Sequence, residues 1–284
     1  MKPLVSVIIP TFNRAHFLRE ALESVLAQDY RPLEIIVVDD GSTDRTPYLI
    51  SKYPVKYLRG PRRGVASARN RGLSLAAGEL ISFLDSDDLW KPAKVRTQVE
   101  FFAKNPEAQV VQVEEIWLRK GRRIFPKRKH QKPSGFFFDR ALKLCLISPS
   151  GVMLRRRIFE EVGFFDEEFW VCEDYELWLR IASRYPVYLI KEPLVIKRGG
   201  HEDQLSSLPG LDWFRLKAIA KIYPDPTLTP AMRLLALREA QFKAYVYRQG
   251  ALKRGKYWEA WQVEKILKRL FTFPGLSPYP ALKA

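Results

Sequence analysis

The sequence predicts an α/β protein, a mostly parallel sheet flanked by helices with a basic helical appendage behind it. Three observations predict it. Short β-branched runs, each cut off by a polar exit, alternate with amphipathic stretches of helix length. With 284 residues, 46% of them hydrophobic, the chain has enough apolar surface for a sizeable core. Past residue 206 the composition shifts, with 14 Lys/Arg against 5 Asp/Glu from Leu211 to Ala284, a balance of +9. The expected division is a domain over 1–206, made of halves 1–90 and 91–206, and an appendage over 207–284.

The first strand is Leu4 to Ile9, stopped at Pro10, with Thr11-Phe-Asn-Arg14 as its exit loop. A helix from Ala15 to Ala27 carries Phe17, Leu18, Leu22, Val25 and Leu26 on one face. Leu33 to Val38 is the second strand and Asp39-Asp-Gly-Ser-Thr-Asp44 its exit, where Ser42 to Asp44 offer capping side chains to the helix that follows. Val55 to Leu58, a helix from Val65 to Ala77 and a strand from Leu80 to Leu84 complete the first half. Beyond Trp90 the pattern gives a helix to Lys104 and a strand over Val110 to Leu118. A basic segment, Arg119 to Lys132, reads as a hairpin tip or loop. Phe136 to Leu146 reads as a helix or buried connection, and Gly151 to Leu154 as a strand. A short helix stops at Gly163, another begins at Glu173, and two short strands lie at Val187 to Ile190 and Leu194 to Ile196. Helices over Leu211 to Tyr223, Pro230 to Arg248 and Lys256 to Phe271 form the appendage.

Strands linked by single helices are parallel, so their C-terminal ends share one edge, where open α/β sheets bind ligands. Pro10-Thr11, Asp39-Asp40 and Asp85-Ser86-Asp87 all fall on that edge. Asp85, Asp87 and Asp88 place three carboxylates within four positions directly after an apolar run. Such like charges persist in water or around a cation, and the convergence of three polar exits favours a metal. Asp88 is expected to cap the helix starting near Lys91-Pro92, leaving Asp85 and Asp87 for the metal.

A formal net charge of +16 calls for an acidic partner: nucleic acid, anionic lipid or a phosphorylated small molecule. No zinc-finger spacing, RNP-like strand or helix-turn-helix pattern is present, so nucleic acid is not expected. No apolar run reaches the ~20 residues that span a bilayer and the N-terminus is not signal-like, so the expected location is cytoplasmic. Cys145 and Cys172, without metal-ligand spacing, are expected to be reduced structural thiols.

Five stretches, Val5-Ser-Val-Ile-Ile-Pro-Thr-Phe-Asn-Arg14, Val37-Val-Asp-Asp-Gly-Ser-Thr-Asp-Arg-Thr46, Ala68-Arg-Asn-Arg-Gly72, Gly78 to Asp88 and Glu173-Asp174, closely resemble family 2 glycosyltransferases of the Rossmann-like GT-A fold. The resemblance covers Leu4 to Ser206. It implies a nucleotide diphosphate sugar donor, usually UDP- or dTDP-linked, held by the first half. Pro10, Thr11 and Asn13 would line the nucleoside pocket, and Asp40 with Asp39 would accept from the base edge. Arg69 or Arg71 would pair with the pyrophosphate or steady the aspartates, with Asn70 a weaker member and Ser86 between the carboxylates. Asp87, with Asp85, would coordinate Mg²⁺ or Mn²⁺, and His201 would be a late third ligand. In the second half Asp174 would be the general base and Glu173 would orient it.

The implied activity is inverting, metal-dependent sugar transfer to a hydroxyl of a cell-envelope or lipid-linked saccharide. The basic loop and appendage fit a peripheral enzyme held at the inner face of the membrane by anionic lipid. Two alternatives stand beside it: a non-catalytic sugar-nucleotide-binding scaffold, and a nucleotidyltransferase. The latter predicts a glycine-rich loop after the first strand, where this chain has Pro-Thr-Phe-Asn-Arg. Oligomeric state is left open.

Overall fold

The structure, a computed structural model, describes residues 2–201 and 203–273. The first half alternates β1 (Val5–Thr11), α1 (Ala15–Leu26), β2 (Leu33–Asp39), α2 (Thr46–Ile50), β3 (Lys56–Arg59), α3 (Val65–Leu75) and β4 (Leu80–Phe83). These four strands are parallel, in the order β3-β2-β1-β4. Val5, Val7, Ile8 and Ile9 are all fully buried, as a strand covered by helices on both faces requires. Gly72 lets α3 approach the sheet closely, since a Cβ there would meet the Ile8 side chain at 2.4 Å.

The second half adds β5 (Leu89–Trp90), α4 (Lys94–Lys104), β6 (Val110–Arg119), β7 (Arg122–Ile124), α5 (Phe138–Lys143), β8 (Val152–Arg155), α6 (Ile158–Val162), α7 (Glu173–Ala182) and β9 (Val187–Gly199). It extends the same sheet as β4-β8-β6-β9-β5, with β8 antiparallel to both neighbours and β7 paired to β6. The two short strands expected over Val187 to Ile196 are one thirteen-residue strand. It runs parallel to β6 from Val110↔Val187 to Arg119↔Gly199, and register shifts around Glu114 absorb Pro193, which has no N–H to donate. That unbroken strand carries Lys197, Arg198 and the Gly199-Gly200-His201 segment up to the site. The basic segment is a hairpin tip as expected, turning through Lys120 and Gly121, both at positive φ.

Helices α8 (Leu211–Ile222), α9 (Pro230–Lys253) and α10 (Tyr257–Phe271) close the fold. Thr229 caps α9 by accepting from Met232 N at 3.2 Å, with Pro230 in the first turn. These helices share the core of the sheet's helical face, a single apolar cluster that runs from Ile8 and Phe83 through Trp178 to Leu216, Ala240 and Val263. Trp178 is 2% exposed, and truncating such a side chain to Ala costs about 3–5 kcal/mol. No described helix is long and apolar enough to cross a membrane.

Candidate active site

Parallel register delivers the first two exits side by side, with Thr11 opposite Asp39 and Asp40 N donating to Thr11 O at 2.9 Å. Asp39 is fully buried and spends its oxygens on the fold: Oδ1 accepts from Ser42 N at 2.7 Å and Oδ2 from the Tyr57 hydroxyl at 2.7 Å. It therefore shapes the turn, and it lies deeper than Asp40 beside it. Asp40 accepts from Arg63 N and Gly64 N, both at 2.8 Å, fixing the start of α3 while each oxygen keeps a free lone pair. Asn13, at φ 51°, ties the first exit to the second by accepting from Thr43 N at 2.7 Å. Beneath it Pro10 is buried, and the buried Thr11 Oγ1 has no partner among the described residues.

The carboxylates after β4 divide three ways. Asp85 accepts from Arg69 Nη2 at 2.7 Å, and Arg69 Nη1 reaches across to Glu173 Oε1 at 2.5 Å. Arg69 is 3% exposed and lies over the Phe165 ring, so one buried cation joins the exit of β4 to the first turn of α7. Against the cost of burial, Asp85 and Glu173 hold its guanidinium more firmly protonated than usual. Burial pushes Glu173 up to about 7, with Arg69 pulling against it and Asp174 adding to it. Glu173 thus bonds to Arg69 rather than orienting Asp174 directly.

Asp87 Oδ2 meets Arg14 Nη1 at 2.8 Å and His201 Nε2 at 2.7 Å, and Arg14 Nε goes on to Asp203 at 2.7 Å. Asp88 is not a cap. It is 2% exposed, accepts from Ser150 Oγ at 2.6 Å and from Arg198 N at 2.9 Å, and burial followed by Asp87 raises its carboxyl well above the usual range. Helix α4 starts instead from Ala93, without a side-chain cap, because β9 returns beside Asp88 and claims it. Ser86 is buried in the same turn.

Asp174 lies half-buried in the first turn of α7 behind Cys172 at φ 61°, and its Oδ2 accepts from Cys145 Sγ at 3.3 Å. Asn70 and Arg71, expected beside the diphosphate, are turned to other partners. Asn70 clamps the loop before α7 through Phe165 O and Glu167, both at 2.9 Å, and Arg71 donates to Arg59 O at 3.1 Å. Successive helical residues point about 100° apart, so only Arg69 of the three faces the aspartates.

The sequence reading missed Arg14, Ser150 and the buried pair Glu115–Lys132 at 3.1 Å. Lys197 on β9 belongs to the same group: despite burial, Glu115, Asp88 and Asp85 keep its ammonium charged. Against burial, Lys132 and Lys197 hold Glu115 at about 2. The available signal was the Arg in the first exit and the Lys-Arg pair just before Gly199-Gly200.

Among the described residues no three His, Cys, Asp or Glu side chains converge as a ready-made metal cage. Asp87 and His201 are in direct contact at 2.7 Å, whereas Asp85 is drawn to Arg69. One carboxylate and one imidazole would suit a divalent transition-metal ion that completes its shell with water and phosphate oxygens better than they suit Mg²⁺, which prefers oxygen ligands alone. Arg14 shares the same Asp87 oxygen at 2.8 Å, so an ion there would compete with it.

Glycosyl transferase family 2 matches residues 6–163 of the chain. A Rickettsia typhi protein described as an uncharacterized glycosyltransferase is 34% identical over 203 residues, 69% of this chain and 64% of its own, so the chain spans just under two thirds of that relative. The Escherichia coli UDP-Glc:α-D-GlcNAc-diphosphoundecaprenol β-1,3-glucosyltransferase WfgD is 34% identical over 184 residues, 63% of this chain and 70% of its own. Among solved structures, Staphylococcus aureus TarS 1–349 in complex with UDP-GlcNAc superposes with a TM-score of 0.78 at 20% identity, covering 95% of this chain and 81% of that one. The Pyrobaculum calidifontis mannosyltransferase in complex with GDP-Man and Mn²⁺ gives 0.60 at 22%, over 98% and 77%. At those identities the likeness is one of fold.

Proposed function

The chain belongs to glycosyl transferase family 2, and from that premise we propose that it transfers a sugar, with inversion, from a UDP-linked donor to a hydroxyl of a lipid-linked saccharide. The observation that carries the reading is Arg69, a buried cation bonded on one side to Asp85 and on the other to Glu173 beside Asp174. It couples the donor half to the acceptor half. The E. coli relative named for UDP-Glc and a diphosphoundecaprenol-linked sugar supports the choice of donor and acceptor.

In this reading the nucleoside sits against Thr11, Asn13 and the free lone pairs of Asp40. Asp87 and His201 hold a divalent cation, which when bound neutralises charge developing on the leaving diphosphate. Arg14, bonded to Asp87 at 2.8 Å, would also be placed to donate to phosphate oxygens of the donor. Asp174 accepts the proton of the acceptor hydroxyl as its oxygen attacks the anomeric carbon. The new C–O bond forms on the face opposite the breaking bond to the diphosphate, which leaves with the electron pair, so configuration inverts. Arg69 keeps Asp85 and Glu173 at fixed positions through the step.

The test is release of UDP, GDP or dTDP from a panel of sugar nucleotides with Mg²⁺ or Mn²⁺ and a diphosphoundecaprenol-linked sugar. UDP release that disappears in Asp174→Asn is expected. Nucleotide binding without release from any donor would instead favour the scaffold.

A further inference from the structure

Trp170 precedes Asp174, the proposed base, by four residues and is 55% exposed, an apolar ring held in solvent. It meets Phe214 of α8 edge-on at 5.5 Å. Lys217 lies over Phe214 at 5.9 Å and over Trp213 at 5.2 Å, and Trp213 stacks on Tyr247 of α9 at 5.6 Å. Trp213, Tyr247 and Trp258 line a cleft of about 900 Å³ between α8, α9 and α10. Trp258 stacks on Trp261 at 4.6 Å, the two are 67% and 45% exposed, and Lys265 lies over Trp261 at 5.2 Å. Rings and ammonium groups therefore follow one another from the base helix to α10.

Trp213, Phe214 and Tyr247 anchor the strip to the core, while Trp170, Trp258 and Trp261 leave about half or more of their surface in solvent. Indole and phenol rings with an apolar body and a polar edge, interleaved with Lys on apolar stems, suit the headgroup level of a bilayer. The balance of +9 from Leu211 to Ala284 fixes the sign of the partner as negative. Glu259, an acid lining the cleft, is taken up by Lys256 at 2.7 Å and Tyr247 at 2.8 Å, so the cleft does not oppose that sign.

We propose that this aromatic and basic strip seats the enzyme on an anionic lipid bilayer, with Trp170 and Asp174 at the end that meets headgroup-anchored hydroxyls. The proposal deepens the lipid-linked acceptor of the preceding reading by naming the surface on which that acceptor is met, and it rests on that reading for its purpose. The strip also fixes orientation. It lies along α8 and α10, so the basic β6–β7 hairpin is a separate feature that need not touch lipid.

The experiment is sedimentation of the whole chain with vesicles of phosphatidylglycerol and phosphatidylcholine in equal parts, against phosphatidylcholine alone, at low and high salt. Wild type is expected to bind the anionic vesicles and to be released by salt. Each exposed Lys is worth about fivefold in partition, so Lys217→Gln with Lys265→Gln should lower binding by about twenty-five-fold. Trp258→Ala with Trp261→Ala, at exposed positions, should lower it comparably. Arg122→Gln with Arg123→Gln on the hairpin should stay within about twofold of wild type. Unchanged melting temperatures keep the variants interpretable.

The proposal is overturned if wild type ignores anionic vesicles, or if the strip variants bind as wild type does. Trp-dependent self-association without vesicle binding would assign the strip to a second copy, and quenching of Trp fluorescence by soluble GlcNAc oligomers without vesicle binding would assign it to saccharide. Nucleotide release is measured without vesicles as a separate readout. Vesicle binding through the strip without any UDP release refutes the transferase reading alone, and UDP release without vesicle binding refutes the strip alone.

Discussion

Replacing Arg69 with Gln removes the cation shared by Asp85 and Glu173, and the cost should depend on pH. Breaking a buried ion pair by deleting one partner costs about 3–5 kcal/mol, because the remaining charge is left without compensation. The Asp85 side chain is 30% exposed and that of Glu173 only 7%, so water relieves the first and not the second. Most of the loss therefore falls on Glu173. Its carboxyl already sits at about 7 in the folded chain, raised from 4.5 by burial. A raised folded value means that its contribution to stability is complete below about 4.5 and fades as pH climbs through about 7. Without Arg69 the folded value rises further, so the fade extends into the alkaline range. Urea denaturation should thus show a small penalty for Arg69→Gln near pH 5 and a penalty of about 3 kcal/mol or more near pH 8.5. Adding Glu173→Gln should recover much of it, since no buried charge is then stranded. A penalty equal at all pH values, or below about 1 kcal/mol at pH 8.5, would refute the account of Arg69 as the shared cation.

Arg14→Ala should raise Mn²⁺ affinity without nucleotide by about fivefold, since a part-exposed pair worth about 1 kcal/mol no longer competes for Asp87, and hydrogen exchange over 199–206 should speed up; spin-resonance titration and exchange mass spectrometry read the two effects. Tyr57→Phe should cost about 1–3 kcal/mol in thermal or urea melts, because a buried Asp39 oxygen loses its donor. The same change should weaken UDP binding, since Asp39 shapes the turn beside Asp40. Burial pushes the Cys145 thiol well up and that of Cys172 to about 12, so a disulfide reagent at pH ~8 should titrate neither thiol in the folded chain and both in urea. Rapid labelling of the native chain would contradict the raised thiol values.

The parallel half was legible because its signals are local. An apolar run such as Val5 to Ile9 ending at Pro10 names a strand and its stop without reference to any distant residue. What was not legible depended on contacts across long sequence separations. Asp88 looked like a cap until β9 placed Arg198 N against it, more than a hundred residues away. The Glu192-Pro193 break made β9 look like two strands, and only pairing with β6 shows the irregularity being absorbed. Asn70 and Arg71 bond to Phe165 O, Glu167 and Arg59 O through helix phase, which spacing alone does not fix when a stretch is short and polar. Arg14 was in view within the first exit, but its partners Asp87 and Asp203 lie 73 and 189 residues on.

The division of labour between the two halves is best tested by titrating UDP into wild type, Asp87→Asn and Asp174→Asn, with and without Mn²⁺. The site described here predicts that Asp87→Asn loses the Mn²⁺-dependent part of UDP affinity, whereas Asp174→Asn binds UDP as wild type does and transfers nothing. Metal-dependent binding that survives in Asp87→Asn, or UDP affinity that collapses in Asp174→Asn, would contradict it.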